Sequence, residues 1–119
     1  MEHIIMEILA EILDIASSKI TLDTYVIRDL GAESIDLMEV AVTINDKMGI
    51  EVVEDDIFLR RLREFLMEAD QAGALRENFL AVKYSFLSSK RIEEILSELG
   101  EGPVLKVGDL IDYVRTQKS

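Results

Sequence analysis

Apolar residues in the first part of the chain recur at spacings of three and four. Ile5, Ile8, Leu9, Ile12, Ile15 and Ala16 form the series, with Glu7, Glu11 and Asp14 between them, which predicts an amphipathic helix over 3–17. The rhythm then stops. Residues 18–33, SKITLDTYVIRDLGAE, have no helical period and contain Gly31, which permits a turn that other residues resist, so they read as a long, partly apolar loop. At Ser34 the rhythm resumes: Leu37, Val40, Ala41, Ile44 and Met48 share a face and Gly49 follows as a left-handed stop, predicting a second helix over 34–48.

Farther on, the stripe Phe58, Leu62, Phe65, Leu66 and Ala69, with Gly73 beyond it, predicts a third helix over 57–70. Residues 75–87 carry Leu75, Phe79, Leu80, Val82, Phe86 and Leu87 in a less regular pattern. Ser88-Ser89 then offers a cap for a helix holding Ile92, Ile95, Leu96 and Leu99. Gly100-Glu101-Gly102-Pro103 punctuates the chain, and Val107, Leu110, Ile111 and Val114 mark a short last helix. There is no internal repeat or low-complexity tract. The reading is all-α, one domain over 1–119.

Composition supports this class. In 119 residues, 49% apolar content is enough for one modest core, while 6% aromatic content without Trp means that aliphatic side chains build most of it. One Pro and six Gly argue against a many-stranded sheet. The net charge of −11 repels nucleic acid and anionic membranes and favours basic protein partners. Without Cys and with one His, the chain has no disulfide framework and no thiolate or His-based metal site. Nor do His, Cys or paired carboxylates form a catalytic constellation, which argues against an enzyme. Glu2, Glu7 and Glu11 interrupt the apolar N-terminus and no basic flank precedes it, so neither a signal peptide nor a spanning helix is expected, and the protein reads as cytoplasmic.

Acidity is concentrated in one stretch: residues 29–56 hold nine acids and a single base, Lys47, whereas residues 57–119 are balanced. Such a stretch ordinarily reads as a solvated face. Within it, Ser34 follows a Gly-containing turn and opens a helix, where unpaired backbone N–H groups and the helix dipole favour a bound or attached phosphate. By spacing alone Ser34 reads as an N-cap. Its neighbours add more, because Asp29-Leu30-Gly31-Ala32-Glu33-Ser34-Ile35-Asp36-Leu37-Met38-Glu39 resembles the attachment motif of acyl carrier proteins, D-L-G-x-D-S-L-D. The resemblance continues through Gly49-Ile50-Glu51-Val52 and into Val107–Val114, covering the first 56 residues and roughly the last 16.

That resemblance implies an acyl-carrier-like helical bundle in which Ser34 receives 4′-phosphopantetheine from coenzyme A through a phosphopantetheinyl transferase. Acyl intermediates of fatty acid, specialised lipid or polyketide synthesis would then ride as thioesters on the arm, in a monomeric carrier. Glu33 stands where Asp is usual and Ile35 where Leu is usual. If Leu37, Val40, Ala41, Ile44 and Met48 face the core, helical geometry turns Ile35, Asp36, Glu39, Val42 and Asp46 outward. With Asp29 and Glu33, these residues form the surface that the resemblance implies for basic patches on synthases and acyltransferases. The alternative is an acidic helical adaptor that binds basic partners and is never modified.

In the family, one loop and one short helix separate the second and last helices; here residues 57–100 intervene as extra helices and hold all four phenylalanines, Phe58, Phe65, Phe79 and Phe86. These aromatics read either as packing for the added helices or as the wall of an enlarged cargo pocket. Arg60, Arg61 and Arg63 read as a solvated face or as countercharge for the second helix.

Overall fold

A computed structural model of the chain describes residues 1–118. The first helix, α1, spans Glu2–Leu13 and buries Ile5, Ile8 and Leu9. It stops short of the predicted end because Asp14 takes a left-handed conformation, φ 55°, and the Ile15 amide returns to the Ala10 carbonyl at 3.0 Å. A 3₁₀ turn at Ser17–Lys19 leads into the long loop. The second helix, α2, spans Ser34–Met48 with Leu37, Val40, Ala41 and Ile44 buried, and Gly49 closes it at φ 65°, as its pattern predicts.

The predicted helix over 57–70 forms only from Leu62: a short helix that the pattern did not predict, α3, Glu54–Ile57, ends where it was to begin, and α4 spans Leu62–Gln71. Between them the buried Leu59 sits at φ 55°, a left-handed conformation that costs a residue with a Cβ roughly 1–2 kcal/mol and cannot continue a helix. Helices α5, Arg76–Lys83, and α6, Ser89–Ser97, follow, the latter capped by the Ser88 hydroxyl, which accepts the Arg91 amide at 3.1 Å. After a 3₁₀ turn at Leu99–Glu101 the chain enters α7, Val107–Lys118. The architecture is all-α: no strand forms among the described residues, only an isolated antiparallel bridge between Tyr25 and Lys106.

Helix α1 packs on α2 and α7, α3 packs on α7, and α4, α5 and α6 pack in sequence beside them. One apolar cluster runs from Ile5 and Ile44 through Ile57, Phe65 and Ile92 to Leu110 and Val114. A row of rings crosses the inserted segment: Phe79 lies 6.5 Å from Phe65, Phe65 5.4 Å from Tyr84, Tyr84 6.0 Å from Phe86, and Phe86 5.2 Å from Tyr113 on α7. Tyr113 in turn accepts the Val53 amide at 3.0 Å, so the row ends beside the segment that follows α2.

A buried ion pair fastens α6 to α7. Arg91 donates to Asp109 through Nε at 2.8 Å and Nη2 at 2.9 Å, and also to the Val104 carbonyl at 2.5 Å, while Asp109 accepts the Lys106 amide at 2.9 Å. Arg91 is 8% exposed and Asp109 1%.

Candidate functional site

The route to Ser34 is built from backbone. The Val26 amide donates to Leu105 at 3.0 Å, and the Val107 and Gly108 amides donate to Thr24 and Leu22 at 2.9 and 3.0 Å, so the loop itself satisfies the first N–H groups of α7. A Cβ at Gly108 would stand 3.2 Å from the Leu22 carbonyl oxygen, which favours glycine there. From this rail the chain folds over: the Asp29 amide donates to Tyr25 at 3.0 Å, Gly31 to Ile27 at 3.0 Å and Ala32 to Val26 at 3.3 Å. Asp29 fastens the turn by accepting the Tyr25 amide at 2.9 Å, and Gly31 supplies the left-handed step at φ 69°. Asp29, offered by the sequence as a partner contact, is thus first a brace for the approach to Ser34.

Ser34 is the first residue of α2, and Glu33, with extended backbone, is its N-cap. Asp36 accepts the Glu33 amide at 2.9 Å, so flanking carboxylates perform the capping that spacing alone assigned to the serine. The Ser34 side chain is exposed, and none of the described residues hydrogen-bonds its hydroxyl. A hydroxyl held at a helix N-terminus with no structural duty is open to derivatisation, and the amides of the first turn favour a negative phosphodiester there. These residues fit the prosthetic group that the motif implies.

Along α2, Glu33, Ile35, Glu39, Val42 and Asp46 are exposed and Asp36 is half-buried. The sequence reading passed over Met38, which is 50% exposed between Ile35 at 66% and Val42 at 56%. Spacings of three and four from those neighbours could have found it. Together the three make an apolar spine between acidic flanks. A shallow hollow of about 200 Å³ lies between α2 and the start of α3, lined by Ala41, Val42, Asn45, Asp46, Val52 and Glu54.

None of the three arginines neutralises α2: Arg61 pairs with Glu64 at 2.9 Å, Arg60 lies 3.7 Å from Glu54, and Arg63 has no acidic partner among the described residues. Of the four phenylalanines, Phe58 lines a cavity, while Phe65, Phe79 and Phe86 belong to the aromatic row. Among the described residues no cluster of His, Asp and Glu is arranged to hold a metal, and no helix is long and apolar enough to cross a membrane.

Glu98 ties the end of the inserted segment to the loop before Ser34. It accepts from the Tyr25 hydroxyl and lies 3.4 Å from Arg28, which stacks over the Tyr25 ring at 3.7 Å and donates to the Pro103 carbonyl at 2.7 Å. The Tyr25 hydrogen bond, with help from Arg28 and Lys106, holds the Glu98 carboxyl below the usual glutamate range. A depressed carboxyl stabilises the fold above its unfolded pKa, about 4.3 for glutamate, and loses that contribution as pH falls from there through the lower folded value. Glu98→Gln should therefore flatten the fall in melting temperature as pH is lowered below the ordinary glutamate range of about 4.3, measured against wild type. An unchanged acid limb would remove this joint from the account.

A family model described as phosphopantetheine attachment site matches residues 3–66. The meromycolate extension acyl carrier protein of Mycolicibacterium smegmatis is 31% identical over 86 residues, covering 63% of this chain and 85% of the relative. Acyl carrier proteins of Campylobacter hominis and Cyanophora paradoxa are 31% and 32% identical over 52 and 65 residues, covering 44% and 54% of this chain and 66% and 63% of those proteins. No solved structure gives a match. With a model spanning more than half of the chain and a relative covered over most of its length, the chain belongs to the phosphopantetheine-bearing acyl carrier family.

Proposed function

We propose that Ser34 bears the 4′-phosphopantetheine of this carrier, and that the exposed side of α2 is where the enzymes that load and unload it dock. The observation that supports the first part most directly is the exposed Ser34 hydroxyl, free of hydrogen bonds, at the first position of α2. The arm supplies a thiol that holds acyl cargo, which a chain without Cys lacks. The protein's own residues hold the attachment point still: Asp29 and Gly31 shape the turn, and Asp36 secures the N-cap. On this reading the chain is a carrier and not a catalyst, and the inserted helices belong to the same carrier unit.

Incubation with coenzyme A and a broad-specificity phosphopantetheinyl transferase should add one arm per chain by intact mass. Ser34→Ala should add none while keeping the helical circular dichroism spectrum of wild type. An arm retained by the variant would move the site elsewhere; no arm on wild type would favour the unmodified adaptor.

For the docking face, Ile35, Met38 and Val42 offer apolar contact, and Glu33, Glu39 and Asp46 offer charge to basic patches on the transferase and on acyl-processing synthases and acyltransferases. Glu39→Lys and Asp46→Lys should each slow arm transfer several-fold at low salt. The difference should shrink as ionic strength rises, because exposed charges are screened beyond about 8 Å in physiological salt. Rates indifferent to both changes would take charge out of the encounter.

A further inference from the structure

Where the inserted segment meets the loop before Ser34 there is a cleft of about 370 Å³, distinct from the hollow beside α2. Its apolar walls come from Ile27, Phe58, Leu59, Leu62, Leu99 and Leu105. Two arginines, Arg60 and Arg63, also line it, and no carboxylate does. In a chain with 24 acids and a net charge of −11, a lining without carboxylates sets this cleft apart from two other hollows among the described residues. The other two hollows each include acids, Asp46 and Glu54 in one and Glu11 and Glu39 in the other.

We propose that this cleft is a binding site for a free medium-chain carboxylate, with the tail against the leucines and the carboxylate at Arg63. Arg63 carries the charge argument because it is the cleft cation without an ion-pair, hydrogen-bond or ring partner among the described residues. Arg60 already faces Glu54 at 3.7 Å and the Phe58 ring at 5.6 Å. A guanidinium fork matches a carboxylate in two parallel hydrogen bonds. The walls are held in place before any ligand arrives. Arg28 donates to Pro103, Arg91 donates to Val104, and Leu59 is kept at φ 55°, the kind of backbone outlier that clusters at ligand sites. At about 30 Å³ for each water-sized heavy atom, the cleft accommodates roughly a dozen heavy atoms, the size of a medium-chain fatty acid of about ten to twelve carbons.

The site does not depend on the arm, so the test uses the unmodified full chain, titrated below micelle-forming concentrations with dodecanoate and, in parallel, dodecanol. Dodecanoate should saturate one site by calorimetry and shift the NMR amide signals of Ile27, Leu59 and Leu99. Dodecanol should bind about fivefold more weakly, the scale of a partly exposed ion pair. Arg63→Gln should bring dodecanoate down to the level of dodecanol and leave dodecanol within twofold of its wild-type affinity. Leu99→Trp, built to fill the cleft, should abolish both without lowering the melting temperature. Equal binding of acid and alcohol, indifference to Arg63→Gln, amide shifts confined to Ala41, Val42 and Val52, or the absence of saturable binding to wild type would each overturn the proposal.

Discussion

Asp109→Ala should lower the free energy of unfolding by about 3–5 kcal/mol, the cost of removing one partner from a buried ion pair. The variant strands the Arg91 guanidinium at 8% exposure. Two charge-assisted hydrogen bonds at 2.8 and 2.9 Å disappear, and the Lys106 amide loses its acceptor. Glu94 and Glu98, 3.6 and 3.8 Å from Nη1, and the Val104 carbonyl at 2.5 Å remain beside the guanidinium, but none of them replaces the paired hydrogen bonds that Asp109 accepts. Against a total stability of about 5–15 kcal/mol for an ordinary domain, the loss is large enough to shift a urea midpoint decisively. Replacing both partners, Arg91→Met with Asp109→Leu, should cost less than Asp109→Ala alone, because no charge is left in the interior. A loss under about 1 kcal/mol for Asp109→Ala would mean that α6 and α7 hold together without the pair.

Phe65→Ala should cost about 3–5 kcal/mol, the usual range for removing a buried ring. Phe65 is 4% exposed, with Phe79 and Tyr84 against it, the Arg61 guanidinium 4.6 Å and the Lys83 ammonium 5.3 Å from its centroid. It lines none of the three described cavities. The ring is core, so the loss should be the same whether the carrier holds a short or a long acyl chain. Melting temperatures of wild type and variant loaded with a series of chains would check this. A gap that widened with chain length would place Phe65 in contact with cargo.

How much of this was legible depended on whether the deciding interactions were local. The bounds of α2 follow from residues within or beside it: the turn before Ser34, the stripe Leu37 to Ile44, and Gly49. The end of α1 and the break between α3 and α4 were not legible, because neither Asp14 nor Leu59 is a glycine and both adopt left-handed conformations, which aspartate takes occasionally and leucine rarely. Phe58 continued the apolar stripe and so hid the break. The place of Ser34 at the head of α2 was legible through its motif, but the duty of Asp29 was not, since its bond to the Tyr25 amide exists only once the loop has folded. Arg91 and Asp109 stand 18 residues apart and look like ordinary surface charges; burial alone makes them a pair. Met38 was within reach and was missed because its neighbours Leu37 and Glu39 drew the face assignments.

On the proposed function one serine, Ser34, carries the arm. Tandem mass spectrometry of the proteolysed holo chain tests it most directly, since the fragment ions locate the added phosphodiester among all the serines. The modification should fall on the peptide containing Ala32-Glu33-Ser34-Ile35-Asp36, with fragment ions assigning it to Ser34 at one arm per chain. Its appearance on Ser17, Ser18, Ser88 or any other residue, or its absence from a chain treated with an active transferase, would contradict the account.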